Sequence, residues 1–285
     1  MELALGTVQF GVKYGLSGAT NLLSDQDIRK ILELAFERGM TILDTAPGYG
    51  DIESRLAILT EGLDFDFISK IQPVPESLDL QTACEWAINS ANSSHERLGH
   101  KLKALLFHRA EDLAGERGAA IWKATFEWAS ARAVLLGASS YEVSTVRELS
   151  ESRGIAIAQL PGNALDQRIK GGFTKLLHTP KLHLRSAFLQ GLLLLPFEIA
   201  ANTVRRSDTA LRKWHGWLNH RALSPLQGAL SIVKGFDEAE TCVVGVDSIA
   251  QLREVTDTWA QATPLQAAEL ACDDPLVIDP RNWSK

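Results

Sequence analysis

Four polar side chains stand at or just past the ends of short apolar runs. Asp44 closes MTILD (40–44), Lys70 closes FDFISK (65–70) and His108 closes KALLFH (103–108), while Tyr49 follows Asp44 by five residues in the turn-rich stretch DTAPGYG. Their chemistry is complementary. A tyrosine with an ordinary pKa near ~10 is a poor acid at neutral pH, and a nearby ammonium lowers that value by stabilising the phenolate. Lys70 can supply the ammonium, Asp44 can pair with it and aim it, and His108 can hydrogen-bond a substrate carbonyl oxygen. Together they would form a proton-donating oxyanion site. Each residue also has a plainer role: Asp44 as a loop or cap residue, Lys70 as a solvated charge, His108 as a partner for loop backbone, Tyr49 as a packing aromatic. What favours chemistry is that the polar residues recur at successive run ends.

Such residues converge only if the elements carrying them are neighbours. Ser24 is placed to cap a helix in which Ile28, Ile31, Leu32 and Ala35 repeat at helical spacing up to Gly39. The run ending in Asp44 comes next and is too short for a helix. The alternation continues through LALGT at the start, the runs ending at Lys70 and His108, AVLLGAS (133–139), IAIAQL (155–160), LHLRSA (182–187) and TCVVGV (241–246). Eight short apolar strands separated mostly by helices predict a parallel sheet closed into a single (β/α)8 TIM barrel, with 1–285 as one domain. The rival is an open doubly wound sheet, but no G-x-G-x-x-G follows an early strand. In a barrel the loops after the strands form the active face, which is where Asp44, Lys70 and His108 would stand, and Pro47, Gly48 and Gly50 allow Tyr49 to fold over that mouth. The polar stretch from Asn202 to Asp208 reads as an excursion between the seventh and eighth strands.

The 285 residues are 45% hydrophobic and 22% charged, ordinary for a folded chain. A net charge of −6 argues against nucleic acid or anionic membrane as a partner. Cys84, Cys242 and Cys272 are odd in number and far apart, which suits a reducing cytoplasm and no zinc or disulfide framework. No metal site is expected. The start MELALGTVQFG lacks a signal-peptide pattern, and no run approaches a membrane span.

The stretch LDTAPGYGDIESRLA, the lysine of ISK and the histidine of LLFH resemble the aldo-keto reductases, over nearly the whole chain. The resemblance implies a catalytic tetrad of Asp44, Tyr49, Lys70 and His108, with Tyr49 as general acid, and NADP or NAD as cofactor. It further implies that Gly6 and Thr7 match the family's first-strand Gly-Thr. Ser139 and Ser140 would match the Ser-Asn pair holding the nicotinamide amide, and Gln159 its sixth-strand glutamine, which can both donate and accept. Ser139 and Ser140 can equally cap a helix before Val143 and Val146.

Two stretches depart from the family pattern. LRSAFLQG puts Arg185 where an aromatic commonly stacks on nicotinamide, and since a guanidinium can stack on a flat ring, Arg185 is implied as a cofactor contact there. VVGVDSIAQLREV puts Asp247 in place of a phosphate-binding base and Val255 in place of an asparagine, leaving Gly245, Ser248 and Gln251 as cofactor contacts, with Arg253 nearby. With LGTVQFG and IDPRNW, this variant pattern is similar to a subgroup associated with bacterial surface-polysaccharide synthesis. The implied activity is reduction of an aldehyde or ketone, such as a sugar derivative, by a cytoplasmic enzyme acting on a small carbonyl substrate. The alternatives are a non-redox sugar-modifying barrel (epimerase, dehydratase or lyase) and a ligand-binding module with a degraded cofactor site.

Overall fold

A computed structural model describes residues 1–16, 22–173 and 176–283. Eight strands form one closed parallel barrel in chain order: β1 (Glu2–Gly6), β2 (Ile42–Asp44), β3 (Asp66–Ile71), β4 (Leu102–Phe107), β5 (Leu135–Ser139), β6 (Ile157–Pro161), β7 (Lys181–Arg185) and β8 (Ala239–Gly245). Closure comes from β1, which pairs with β2 on one side and with β8 on the other, so the open doubly wound alternative is overturned. The eight sequence-derived strands are these eight, with ends shifted by one or two residues.

The helices surround the sheet. In chain order they are α1 (Val8–Gly11), α2 (Asp25–Glu37), α3 (Ile52–Leu59), α4 (Leu80–Leu98), α5 (Gly115–Ser130), α6 (Val143–Arg153), α7 (Phe197–Thr203), α8 (Asp208–Arg221), α9 (Pro225–Lys234), α10 (Ile249–Gln261) and α11 (Pro275–Ile278). Ser24 starts α2 as its side chain predicts: Oγ accepts from the Asp27 amide at 3.2 Å, a cap worth about 1 kcal/mol. The excursion at Asn202–Asp208 links α7 to α8.

Strand alternation sorts side chains into two cores. Leu43, Phe67, Leu105 and Leu184 belong to the large apolar layer between sheet and helices. Ile68, Ala104, Leu106 and Ile157 form a small separate cluster, with Ile42 packed against it. The next residues of the same alternation, toward the strand ends, are Asp44, Lys70, His108 and Gln159. The apolar cluster thus floors a polar rim. Among the described residues no helix is long and apolar enough to cross a membrane.

Candidate active site

Asp44 is the hub of the rim. Lys70 Nζ donates to its Oδ2 at 2.6 Å and to the Thr45 carbonyl at 3.2 Å. Gln159 Nε2 donates to the same Oδ2 at 2.7 Å, while Thr7 fixes the Asp44 carbonyl through both its amide and its hydroxyl, each at 3.0 Å. Lys70, Asp44 and Gln159 are all buried. A buried ion pair is tolerated when further hydrogen bonds offset the cost of dehydrating the charges, and Gln159 and the Thr45 carbonyl supply them here.

Tyr49 is presented by the loop after β2. Gly11 makes this possible: a Cβ there would lie 1.7 Å from the Tyr49 carbonyl oxygen, so only glycine lets α1 and the loop touch. Beyond the loop, α3 is anchored by buried Glu53, which accepts from Ser69 Oγ, from Ser94 Oγ at 3.0 Å and from Arg97 Nη1 at 2.6 Å. The Tyr49 and His108 rings meet edge-on, centroids 6.4 Å apart. Desolvation by the surrounding site, with help from the Lys70 ammonium, pushes the His108 imidazole down to about 4, so it is neutral at pH 7, although the residue is exposed at the mouth. Burial, followed by the Asp44 carboxylate, raises Tyr49 above its ordinary value. The net field on the phenol therefore differs from the expected lowering by Lys70. The ammonium is committed to Asp44, whose charge offsets it, and desolvation dominates.

All four residues line one cavity of about 630 Å³, together with Gly6, Thr7, Ser139, Ser140, Gln159, Arg185, Gly245 and Gln251. Ser248 is not part of this lining; its Oγ caps α10 by accepting from the Gln251 amide at 3.2 Å. Ser140 Oγ accepts from the Glu142 amide at 2.9 Å, but α6 itself has no side-chain cap. Arg185 lies on the ring of Tyr141, its Cζ 4.0 Å from the centroid.

Several lining residues have no counterpart in the sequence reading. Tyr14, Glu111, Tyr141, Glu254 and Arg281 come from loops, strand-following turns and helix surfaces, where no periodicity marks them. Buried His183 on β7 falls within the electrostatic reach of Asp44 and Lys70 and is pushed down to about 4 by burial. A histidine inside LHL, at an inward position of a barrel strand, was a signal that strand alternation could have found.

The lining fits a nicotinamide dinucleotide. Gln9 Oε1 is a buried acceptor with no partner among the described residues, and its amide lies against Gly245, where a Cβ would come within 2.3 Å of it. Gln251 in the first turn of α10 also faces the cavity, and the loops after the last two barrel strands, with a helix N-terminus, are a common phosphate site in this architecture.

A closed (β/α)8 barrel with a polar cavity at the strand ends defines the class. Within it, the Aldo/keto reductase family model matches residues 2–272. The chain belongs to that family and is an oxidoreductase of the NAD(P)-dependent class. Among solved structures, the holo form of an aldo-keto reductase from Bacillus halodurans is similar at 18% identity and TM-score 0.76, covering 99% of this chain and 95% of that one. A candidate aldo-keto reductase from Pseudomonas aeruginosa is similar at 19% identity and TM-score 0.65, covering 91% and 89%. Comparison with curated protein sequences gives no match.

Proposed function

We propose that the protein reduces an aldehyde or ketone to an alcohol, with Tyr49 as the proton donor. The observation that carries this reading is the packing of protonated Tyr49 against neutral His108 in the cavity that also holds the Lys70–Asp44 pair. When bound, the reduced nicotinamide supplies a hydride to the carbonyl carbon. His108, being neutral, can donate one N–H to the carbonyl oxygen and orient it without competing for the proton. As negative charge grows on that oxygen, Tyr49 Oη transfers its proton, and Arg185 is the cation whose field favours the phenolate left behind. Asp44 and Gln159 hold Lys70 in place throughout.

For the cofactor we assign Gly6, Thr7, Ser139, Ser140, Gly245 and Gln251, with Gln9 as a further contact through its orphaned oxygen. Asp247 and Glu254 line the cavity beside α10, and a carboxylate there suits a ribose 2′-hydroxyl better than a 2′-phosphate. NAD is therefore the assigned cofactor. The remaining hydroxyls of the mouth, on Tyr14, Tyr141 and Ser186, suit a polyhydroxylated carbonyl compound such as a sugar derivative. The direct test is oxidation of NADH and NADPH, followed by absorbance, with a panel of neutral and charged aldehydes and ketoses. Absence of carbonyl-dependent oxidation with every member would overturn the reading.

A further inference from the structure

We propose that the substrate of this site carries a carboxylate or phosphate, anchored by Arg185 with Arg281 beside it, a short distance from the Tyr49–His108 pair. The inference rests on the reductase reading for the identity of the reacting group alone.

The cavity is lined by four cations: Lys70, Arg109, Arg185 and Arg281. Three have carboxylates. Lys70 holds Asp44, Arg109 holds Asp112 at 2.6 Å, and Arg281 forks onto Asp279 with contacts of 2.6–3.0 Å. Arg185 has none within 4.0 Å among the described residues. Its Nη2 donates to the Ser140 carbonyl at 3.1 Å and its Nη1 to Ser186 Oγ at 3.4 Å. A guanidinium has five N–H donors, so three remain. Glu111, the carboxylate in this part of the lining, acts on Arg109 and Arg281. A half-buried cation without a counter-charge is costly, and a planar fork is suited to the paired oxygens of carboxylate or phosphate.

The surroundings hold Arg185 in place. Tyr141 is flanked by two guanidiniums, with Arg185 Cζ at 4.0 Å and Arg281 Cζ at 3.8 Å from its centroid. Both guanidiniums are within cation–π range of the ring, which braces both arginines. Immediately after Arg185, the non-glycine residues Ser186, Leu189 and Gln190 all have positive φ, at 59°, 47° and 54°. Such backbone is strained and persists where the surrounding structure over-determines it, commonly at ligand sites. The field of Arg185 also reaches Tyr14, Tyr49 and His108, lowering the proton affinity of each. Arg185, Tyr49 and His108 line one cavity, so an anion bound at Arg185 shares it with the reacting carbonyl.

Calorimetric binding of matched alcohols, which needs no turnover, separates charge from shape. One pair is 4-carboxybenzyl alcohol and benzyl alcohol; the other is glycerol 3-phosphate and glycerol, each measured with and without NADH. The expected result is at least tenfold tighter binding of the anionic member of one pair, with the pair that responds identifying carboxylate or phosphate as the group. Arg185→Gln should erase that preference and Arg281→Gln should weaken it. Arg185→Lys, which keeps the charge and loses the fork, should restore part of it. Equal affinities within both pairs for the wild type, or a preference that survives in folded Arg185→Gln, would overturn the proposal. Oxidation of NADH with benzaldehyde and 4-carboxybenzaldehyde tests the reductase reading separately: turnover without anion preference defeats only the anchor, and anion-selective binding without turnover defeats only the reductase.

Discussion

Gln159 Nε2 donates to Asp44 Oδ2 at 2.7 Å across the barrel mouth, on the same oxygen that receives Lys70 Nζ. The side chain expected from family resemblance to hold the cofactor thus also supports the ion pair. Removing its amide leaves a buried carboxylate short of one donor, at a cost of about 1–3 kcal/mol. Gln159→Leu should lower the urea midpoint accordingly without changing the denaturant slope. An unchanged midpoint would mean that the bond adds nothing to the folded state.

Tyr49→Phe removes a proton donor and little else. Turnover should fall by ~10²-fold or more with cofactor affinity spared. Because burial holds the phenol protonated beyond its ordinary range, wild-type reduction should stay level from about pH 6 to 9. A loss of activity centred inside that interval, or full turnover in the variant, would assign the proton to another group.

Buried His183 gives stability a definite acid sensitivity. Its folded value of about 4 lies below the ordinary 6.5, so between these limits the unfolded chain binds more protons. The contribution is complete above about pH 6.5 and is lost as pH falls toward 4, amounting to about 3 kcal/mol for this histidine. His108 adds a loss in the same direction. Unfolding free energies measured from pH 7 to 4 should fall less steeply for His183→Gln than for wild type; parallel curves would show that His183 is not held neutral.

At the α10 end of the cavity, Asp247 and Glu254 line the wall proposed above to take the adenosine ribose. Two unit charges of like sign ~4 Å apart cost about 4 kcal/mol at an effective dielectric of ~20, reduced by exposure and salt. NADPH should bind no more tightly than NADH. The cofactor's own fluorescence is the suitable signal, since the cavity lining contains no tryptophan. A preference for NADPH above tenfold, or ~1.4 kcal/mol, would refute this assignment.

Strand order, the alternation with helices and the rim positions of Asp44, Lys70 and His108 were legible in the sequence because each depends on local periodicity and on where apolar runs stop. The Tyr49 loop was legible for a related reason: Pro47, Gly48 and Gly50 restrict the backbone within a few residues. Closure was expected from the count of eight strands, whereas what each polar side chain touches depended on packing between residues far apart in the chain. Gln159 and Asp44 are 115 positions apart, and Arg185 and Ser140 are 45. A hydroxyl, amide or guanidinium takes whichever partner the fold brings within reach, so Ser248 caps α10, Gln159 joins Lys70 on Asp44, and Arg185 lies on Tyr141. No one-dimensional pattern encodes that choice, because it is made only when eight strands close and their alternate side chains must share one mouth.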